Sequence, residues 1–349
     1  MGKGQLLAAI LAFIVGLAAS LGLTVPVRRF ALRVGMVDHP GPRKVHSAPI
    51  PLLGGLAIYS GVALAILIAI HSAALSQVWG IFAGATLVAA VGFLDDRGLL
   101  HHQIKLFLAM PAAGVILLVS RIRTDVLSTL LTGRAGWWCD AALTVVWVVG
   151  ITAAFSILDH MDGLCAGVAA TASLFFAIFA LQAGQWLVGT MAAAAMGAAI
   201  GFLRWNFSPA KIFMGDGGAM FLGFLMATLA LKLRPEGPGH VAWLVPVLIL
   251  GVPIFDTTLI SISRSRRGLV PFTTPGKDHT AHRLSNLGLH QRSAVLSLYG
   301  LGAFFGAAAL ALSRFGDDVA LGCAAGLAVA GLAAVAWLER APYERQTAH

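Results

Sequence analysis

Apolar runs long enough to cross a bilayer recur along the whole chain, and no other feature limits the fold as strongly. A spanning helix needs roughly 17–25 predominantly apolar residues. Runs of that kind lie at roughly 5–27, 52–75, 78–94, 104–120, 136–152, 164–183, 186–203, 217–233, 240–258, 293–313 and 318–338. They predict an all-α, polytopic transmembrane bundle of eleven spans, with 1–349 forming a single integral-membrane domain. The 349 residues are 58% hydrophobic and 11% charged. A soluble domain carries about 25% charge, so a soluble fold is excluded. Gly, Ala and Leu dominate, as where small residues let helices approach closely in lipid. There is no internal repeat.

The first run follows Lys3 and precedes the small residues Ala18-Ala19-Ser20. It is longer than a signal-peptide core and many spans follow it, so it reads as a retained helix. Cys139, Cys165 and Cys323 are odd in number and far apart. They have neither disulfide nor zinc spacing and read as small buried hydrophobes.

With eleven spans, seventeen of the 24 Lys and Arg residues fall on one side. They include Arg28, Arg29, Arg33, Arg43, Lys44, Lys105 and the basic loop from Arg264 to Arg283. The excess of positive charge makes that side cytoplasmic, with the N-terminus outside and the C-terminus inside. The net charge of +9 thus speaks of orientation and anionic lipid, and nucleic acid is not expected as a partner.

The same side receives Asp95, Asp96, Asp159, Asp162, Asp216, Asp256 and Asp278. An acid costs roughly 2.5–3.5 kcal/mol at the centre of a spanning helix, and ionisable groups at such helices mark functional sites. GFLDDRGL closes the third run with two acids at a helix C-terminus, where they need a cation. In FSILDHMDGL, Asp159 and Asp162 share a face if the segment is helical; otherwise Asp162-Gly163 is a turn. IFMGDGG places Asp216 at a glycine-rich helix start. There it is either an N-cap or a metal ligand beside N–H groups open to phosphate. In PFTTPGKDHTAHRL, His279 and His282 lie beside Lys277 and Arg283, a spacing that suits a cationic cluster for phosphate better than zinc. The diglycine of PIPLLGG permits close helix packing.

Taken in order, VDHPGPRKVHSAPIPLLGG, FLDDRGL, FSILDHMDGLCAG, FMGDGG, PIFD and GKDHTAHRL resemble the polyprenyl-phosphate N-acetylhexosamine-1-phosphate transferase superfamily. The last loop is similar to the WecA/TagO-like branch and lacks the triple histidine of the branch that transfers phospho-MurNAc-pentapeptide. The resemblance implies transfer of a HexNAc 1-phosphate, most simply GlcNAc-1-phosphate, from a UDP-sugar to undecaprenyl or another polyprenyl phosphate. UMP is released, and a cell-envelope glycan such as O-antigen, teichoic acid or arabinogalactan is begun. It implies Mg²⁺, with Mn²⁺ as an alternative, in a bacterial cytoplasmic membrane, and allows a homodimer.

By the same resemblance Asp216 is a metal ligand, and Asp95 with Asp96 serves as base or organiser of the acceptor phosphate. Asp159 and Asp162 lie near the nucleotide, and Phe213 stacks on uracil. His279, His282 and Arg283 hold diphosphate or sugar, and Lys44 and His46 belong to a substrate-binding loop. The family pattern N-A-x-N-x-x-D is written here with Ala153 and Ser156, which leaves Ser156 as a shorter metal ligand. Two rivals follow from other classes: a non-catalytic paralogue, and a lipid or ion transporter. A transporter places its acids near the midplane, often within repeats, and neither feature is present.

Overall fold

The computed structural model describes residues 3–40, 48–69, 75–100, 102–131, 133–235, 242–271 and 276–343. The chain divides into two compact units, Met1–Arg234 and Pro235–His349. The first holds α1 (Lys3–Arg33), α2 (Gly54–Ala69) and α3 (Leu75–Asp96). Next, α4 (His102–Ile104) runs through a π-helical stretch, Lys105–Ala109, into α5 (Met110–Val119). Then come α6 (Gly133–Leu158), α7 (Leu164–Gln182), α8 (Trp186–Asn206) and α9 (Gly215–Lys232). A two-stranded antiparallel ladder, β1 (Val37–Asp38) with β2 (Ile50–Pro51), lies between α1 and α2 and pairs Val37 with Pro51. The second unit holds α10 (Leu244–Ile249), α11 (Gly251–Arg266), α12 (Thr280–Asn286), α13 (Gln291–Leu312) and α14 (Asp317–Leu338).

Seven of the described helices are long and apolar enough to cross a membrane: α1, α3, α6, α7, α8, α13 and α14. The chain is a multi-pass membrane protein. α2 and the Lys105–Val119 segment are shorter apolar helices. The centre of the first unit is α9, buried from Gly217 to Leu231 and packed against α2, α3, α6, α7 and α8. A helix apolar on every side belongs in such a position.

The described parts of all eleven apolar runs fall largely on helices, residues 70–74 and 240–241 lying outside the described ones, and three runs differ in extent. α1 continues to Arg33, so Arg28, Arg29 and Arg33 ride its last turns instead of a loop. The run expected at 136–152 is a 26-residue helix. The run expected at 240–258 is broken at Leu250 into α10 and α11. The break puts Pro253 in the first turn of α11, where a missing N–H costs no intrahelical hydrogen bond.

Candidate active site

Glycines set the start of α9. A Cβ on Gly55 would strike the Cα of Gly218, and a Cβ on Gly92 would lie 2.6 Å from the Cα of Gly217. The backbones of α2 and α3 therefore meet the first turn of α9 with no room for a side chain. The diglycine expectation holds, and its partner is the GDGG segment. Gly215 takes φ 73°, a left-handed conformation that favours glycine.

Asp216 is not the N-cap of α9. That position is Met214, which makes no side-chain cap. The free N–H groups expected to meet phosphate are occupied instead. Asp96, the last residue of α3, accepts the N–H of Asp216 at 2.8 Å and that of Gly217 at 3.2 Å. A carboxylate brought from another helix thus satisfies the positive end of α9.

Relieved of capping, the Asp216 side chain faces other groups. Its Oδ1 accepts from Ser156 Oγ at 2.8 Å, and its Oδ2 is paired with Lys105 Nζ. Lys105 also reaches Asp95 Oδ2 at 2.7 Å. One ammonium therefore bridges the end of α3 and the start of α9. The sequence alone gave Lys105 only a topological role. Its position ten residues beyond Asp95, at the head of an apolar run, was the available signal.

Asp159 and Asp162 do not share a helix face. α6 ends at Leu158, and Gly163 at φ 78° turns the chain into α7. Asp162 accepts the N–H of Ala210 at 2.9 Å and so ties this turn to the α8–α9 linker. Asn206 accepts from Gly163 N–H at 3.0 Å and donates to Ile212 O at 3.0 Å, a second tie between the same segments. The linker then pairs with the chain after β2: Phe213 N–H donates to Pro51 O, and Phe213 O accepts from Gly54 N–H. Burial first, then the charges of Asp216, Asp96 and Asp162, push the Asp159 carboxyl up to about 8.

The donor set is the test of fit for a cation. Lys105 pairs with Asp95 and Asp216, Asp96 accepts the Asp216 N–H, and Asp159 lies within reach of the Asp216 and Asp96 charges, so the cluster is short of positive charge. Carboxylate and hydroxyl oxygens at this density suit a hard divalent ion. Asp216 and Ser156 would hold it, and Asp159 would regain its charge beside it.

In the second unit, Asp256 orients His279. His279 Nδ1 lies 2.9 Å from Asp256 Oδ2, and Asp256 Oδ1 accepts the N–H of Thr280 at 2.7 Å. The sequence reading placed Asp256 on the shared face without a role, and its partner is this histidine. The expected cationic cluster is not present as such. Arg283 is wholly buried, donating to Asp278 O at 2.7 Å, Leu338 O at 2.8 Å and Ser263 Oγ at 2.7 Å, and pairing with Glu339 at 2.7 Å. Its guanidinium is engaged in holding the end of α14. Burial, then the charges of His279 and Lys277, lower His282 to about 4, so it is neutral at pH 7. Asp278 resists the upward push of burial because Arg264, then Arg267, hold it at about 2. Lys44 and His46 lie outside the described residues.

Residues 78–234, which carry Asp95, Asp96, Lys105, Ser156, Asp159 and Asp216, match the family model for glycosyl transferase family 4. The chain is 37% identical over 306 residues to a probable undecaprenyl-phosphate N-acetylglucosaminyl 1-phosphate transferase of Bacillus subtilis, covering 87% of this chain and 84% of that one. It is 32% identical over 303 residues to the decaprenyl-phosphate N-acetylglucosaminephosphotransferase of Mycolicibacterium smegmatis, covering 78% and 74%. It is 26% identical over 282 residues to the undecaprenyl-phosphate alpha-N-acetylglucosaminyl 1-phosphate transferase of Escherichia coli, covering 76% and 74%. An acid cluster at helix ends, in a multi-pass helical chain with relatives of this kind over most of its length, leads to one assignment: the chain belongs to glycosyl transferase family 4, among the polyprenyl-phosphate N-acetylglucosaminyl 1-phosphate transferases.

Proposed function

We propose that the acid cluster of the first unit performs transfer of GlcNAc 1-phosphate from UDP-GlcNAc to a polyprenyl phosphate, with release of UMP. The observation that carries this is the joining of Asp95 and Asp216 by Lys105, with Ser156 on Asp216 and Asp159 held above neutrality beside them. Phosphoryl transfer needs positioning and charge neutralisation more than covalent chemistry. Mg²⁺ bound by Asp216 and Ser156, or Mn²⁺ in its place, would neutralise the donor diphosphate.

The chain's own groups do the rest. Lys105 offers a second positive charge to the phosphates. Asp95, at the end of α3, positions the attacking lipid phosphate. Asp96 fixes the start of α9 and with it Asp216. The charge bias of the loops supports eleven spans with this cluster on the cytoplasmic side of a bacterial cytoplasmic membrane, where UDP-sugars are available.

UMP release from UDP-GlcNAc and undecaprenyl phosphate, with and without Mg²⁺, tests the reading. Wild type should release UMP only with the ion, and Asp216→Asn should need far more of it. Normal turnover by Asp216→Asn at limiting Mg²⁺ would overturn the ligand assignment.

A further inference from the structure

Away from the acid cluster, two cations flank one tryptophan near the ends of α1 and α8, and a third is tied to the backbone of one of them. Trp205 is fixed by its Nε1–H, which donates to Leu21 O of α1 at 3.1 Å. The Arg204 guanidinium lies 5.3 Å from the Trp205 ring centre, and Lys211 Nζ lies 5.8 Å from it. Arg28 of α1 donates through Nε to Lys211 O at 3.1 Å. Arg28, Arg204 and Lys211 are all exposed. Among the described residues, no carboxylate pairs with any of the three.

Like charges held together without an acid repel one another, and a ring face offsets only part of that cost. An anion among them removes the repulsion. The setting selects the anion: tryptophan and basic residues at the end of spanning helices sit at headgroup depth. We propose that Arg28, Arg204 and Lys211 around Trp205 form a docking surface for the phosphate of an anionic phospholipid. This assignment does not depend on the transferase reading.

The surface has a route to the acid cluster. Lys211 N–H donates to Trp205 O at 2.8 Å, and the neighbouring Ala210 N–H holds Asp162. Three residues further on, the same linker becomes the cap of α9. A headgroup on Lys211 therefore stiffens the segment that leads to Asp216.

Native mass spectrometry of the full-length protein in detergent, titrated with phosphatidylglycerol or phosphatidylcholine, tests the proposal. Wild type should prefer phosphatidylglycerol. Each cation near an anionic surface contributes roughly a fivefold preference, so R28Q/R204Q/K211Q should weaken that lipid about tenfold or more. Phosphatidylcholine binding should be unchanged. The charge-keeping R28K/R204K/K211R variant should behave as wild type. K211Q alone, at an exposed position, should show about a twofold to fivefold loss and serves if the triple variant does not fold. Retention of phosphatidylglycerol within twofold of wild type, or equal loss of both lipids, would overturn the surface. A third titration, with undecaprenyl phosphate, separates the acceptor substrate: a loss by R28Q/R204Q/K211Q confined to that lipid would also overturn the surface and give the site to the acceptor.

Discussion

The carboxylate of Asp96 closes the first turn of α9 by accepting the N–H groups of Asp216 and Gly217, from a helix more than a hundred residues away in sequence. The acid nearest Asp216 in this sense is therefore a structural brace. Its neighbour Asp95 is the one that faces Lys105.

Asp96→Ala should thus lower thermal stability as well as activity. Loss of a helix-capping carboxylate costs on the order of 1–2 kcal/mol, and the partial positive charge of the helix end is then unmet. Asp96→Asn keeps an acceptor oxygen and should recover part of the stability. Melting in detergent separates the two variants. Unchanged melting of Asp96→Ala would remove the brace and leave a purely chemical role.

Lys105→Met should leave Asp95 and Asp216 facing one another without their shared cation. Turnover should fall by about 10²-fold or more, the scale of losing one charge-stabilising group at a reacting centre. Lys105→Arg should retain part of it, since the charge persists but the fork geometry differs. The measurement is UMP release at saturating UDP-GlcNAc. A Lys105→Met variant within threefold of wild type would contradict the bridge.

Ser156→Asn should lower the Mg²⁺ concentration at half-maximal rate. A carboxamide oxygen reaches further than a hydroxyl, and hard cations favour a fuller oxygen shell. Ala153 is buried one turn earlier on α6, so Ala153→Asn is expected to help only in combination. A Mg²⁺ titration of both variants decides; an unchanged midpoint means that Ser156 serves Asp216 alone.

Arg283→Gln should act on stability before substrate affinity. Its guanidinium is fully buried and joins α12 to Ser263 and to Leu338 and Glu339 at the end of α14. Breaking a buried ion pair by removing one partner costs roughly 3–5 kcal/mol. Melting should drop by several degrees, while KM for UDP-GlcNAc in the folded fraction stays near wild type. A large KM change with normal melting would restore the diphosphate role expected of it from the motif.

His282 gives a pH test with a defined sign. Its folded value, about 4, lies below the ordinary histidine value of 6.5, so between those limits the unfolded chain binds the extra proton. Stability should therefore rise with pH from about 4 to about 6.5 and be lost on acidification through that window. His282→Gln should flatten that part of the profile, as read from melting temperature against pH. An unchanged slope would mean that the histidine is charged in the folded protein.

The apolar runs were readable because hydropathy needs no tertiary information, and each falls on a helix. The acid positions at helix ends were readable for the same reason. Pairings across distance were not. Nothing local to GFLDDRGL says that Asp96 meets the N–H of Asp216, because the partner is supplied by glycine contacts between α2, α3 and α9. Lys105 reads as one of many topology charges, and only the π-helical stretch that it opens brings it to Asp95. Arg283 runs the other way: a basic motif residue reads as a ligand, and its burial against the end of α14 comes from contacts that no local pattern shows. Of the two readings of Asp159 and Asp162, a shared helix face or a turn at Asp162-Gly163, the structure has the turn: α6 ends at Leu158 and Gly163 takes φ 78° ahead of α7.

The π-helical stretch from Lys105 to Ala109 amounts to one residue more than an α-helix needs over the same rise. Removing a single residue from it would restore regular geometry while keeping the segment apolar. It would also rotate everything before it by about 100° relative to α5. Lys105 would then swing off the Asp95 and Asp216 carboxylates. The transferase is thus bound to the reading frame of this segment: its backbone could absorb a one-residue deletion, and its charge arrangement could not.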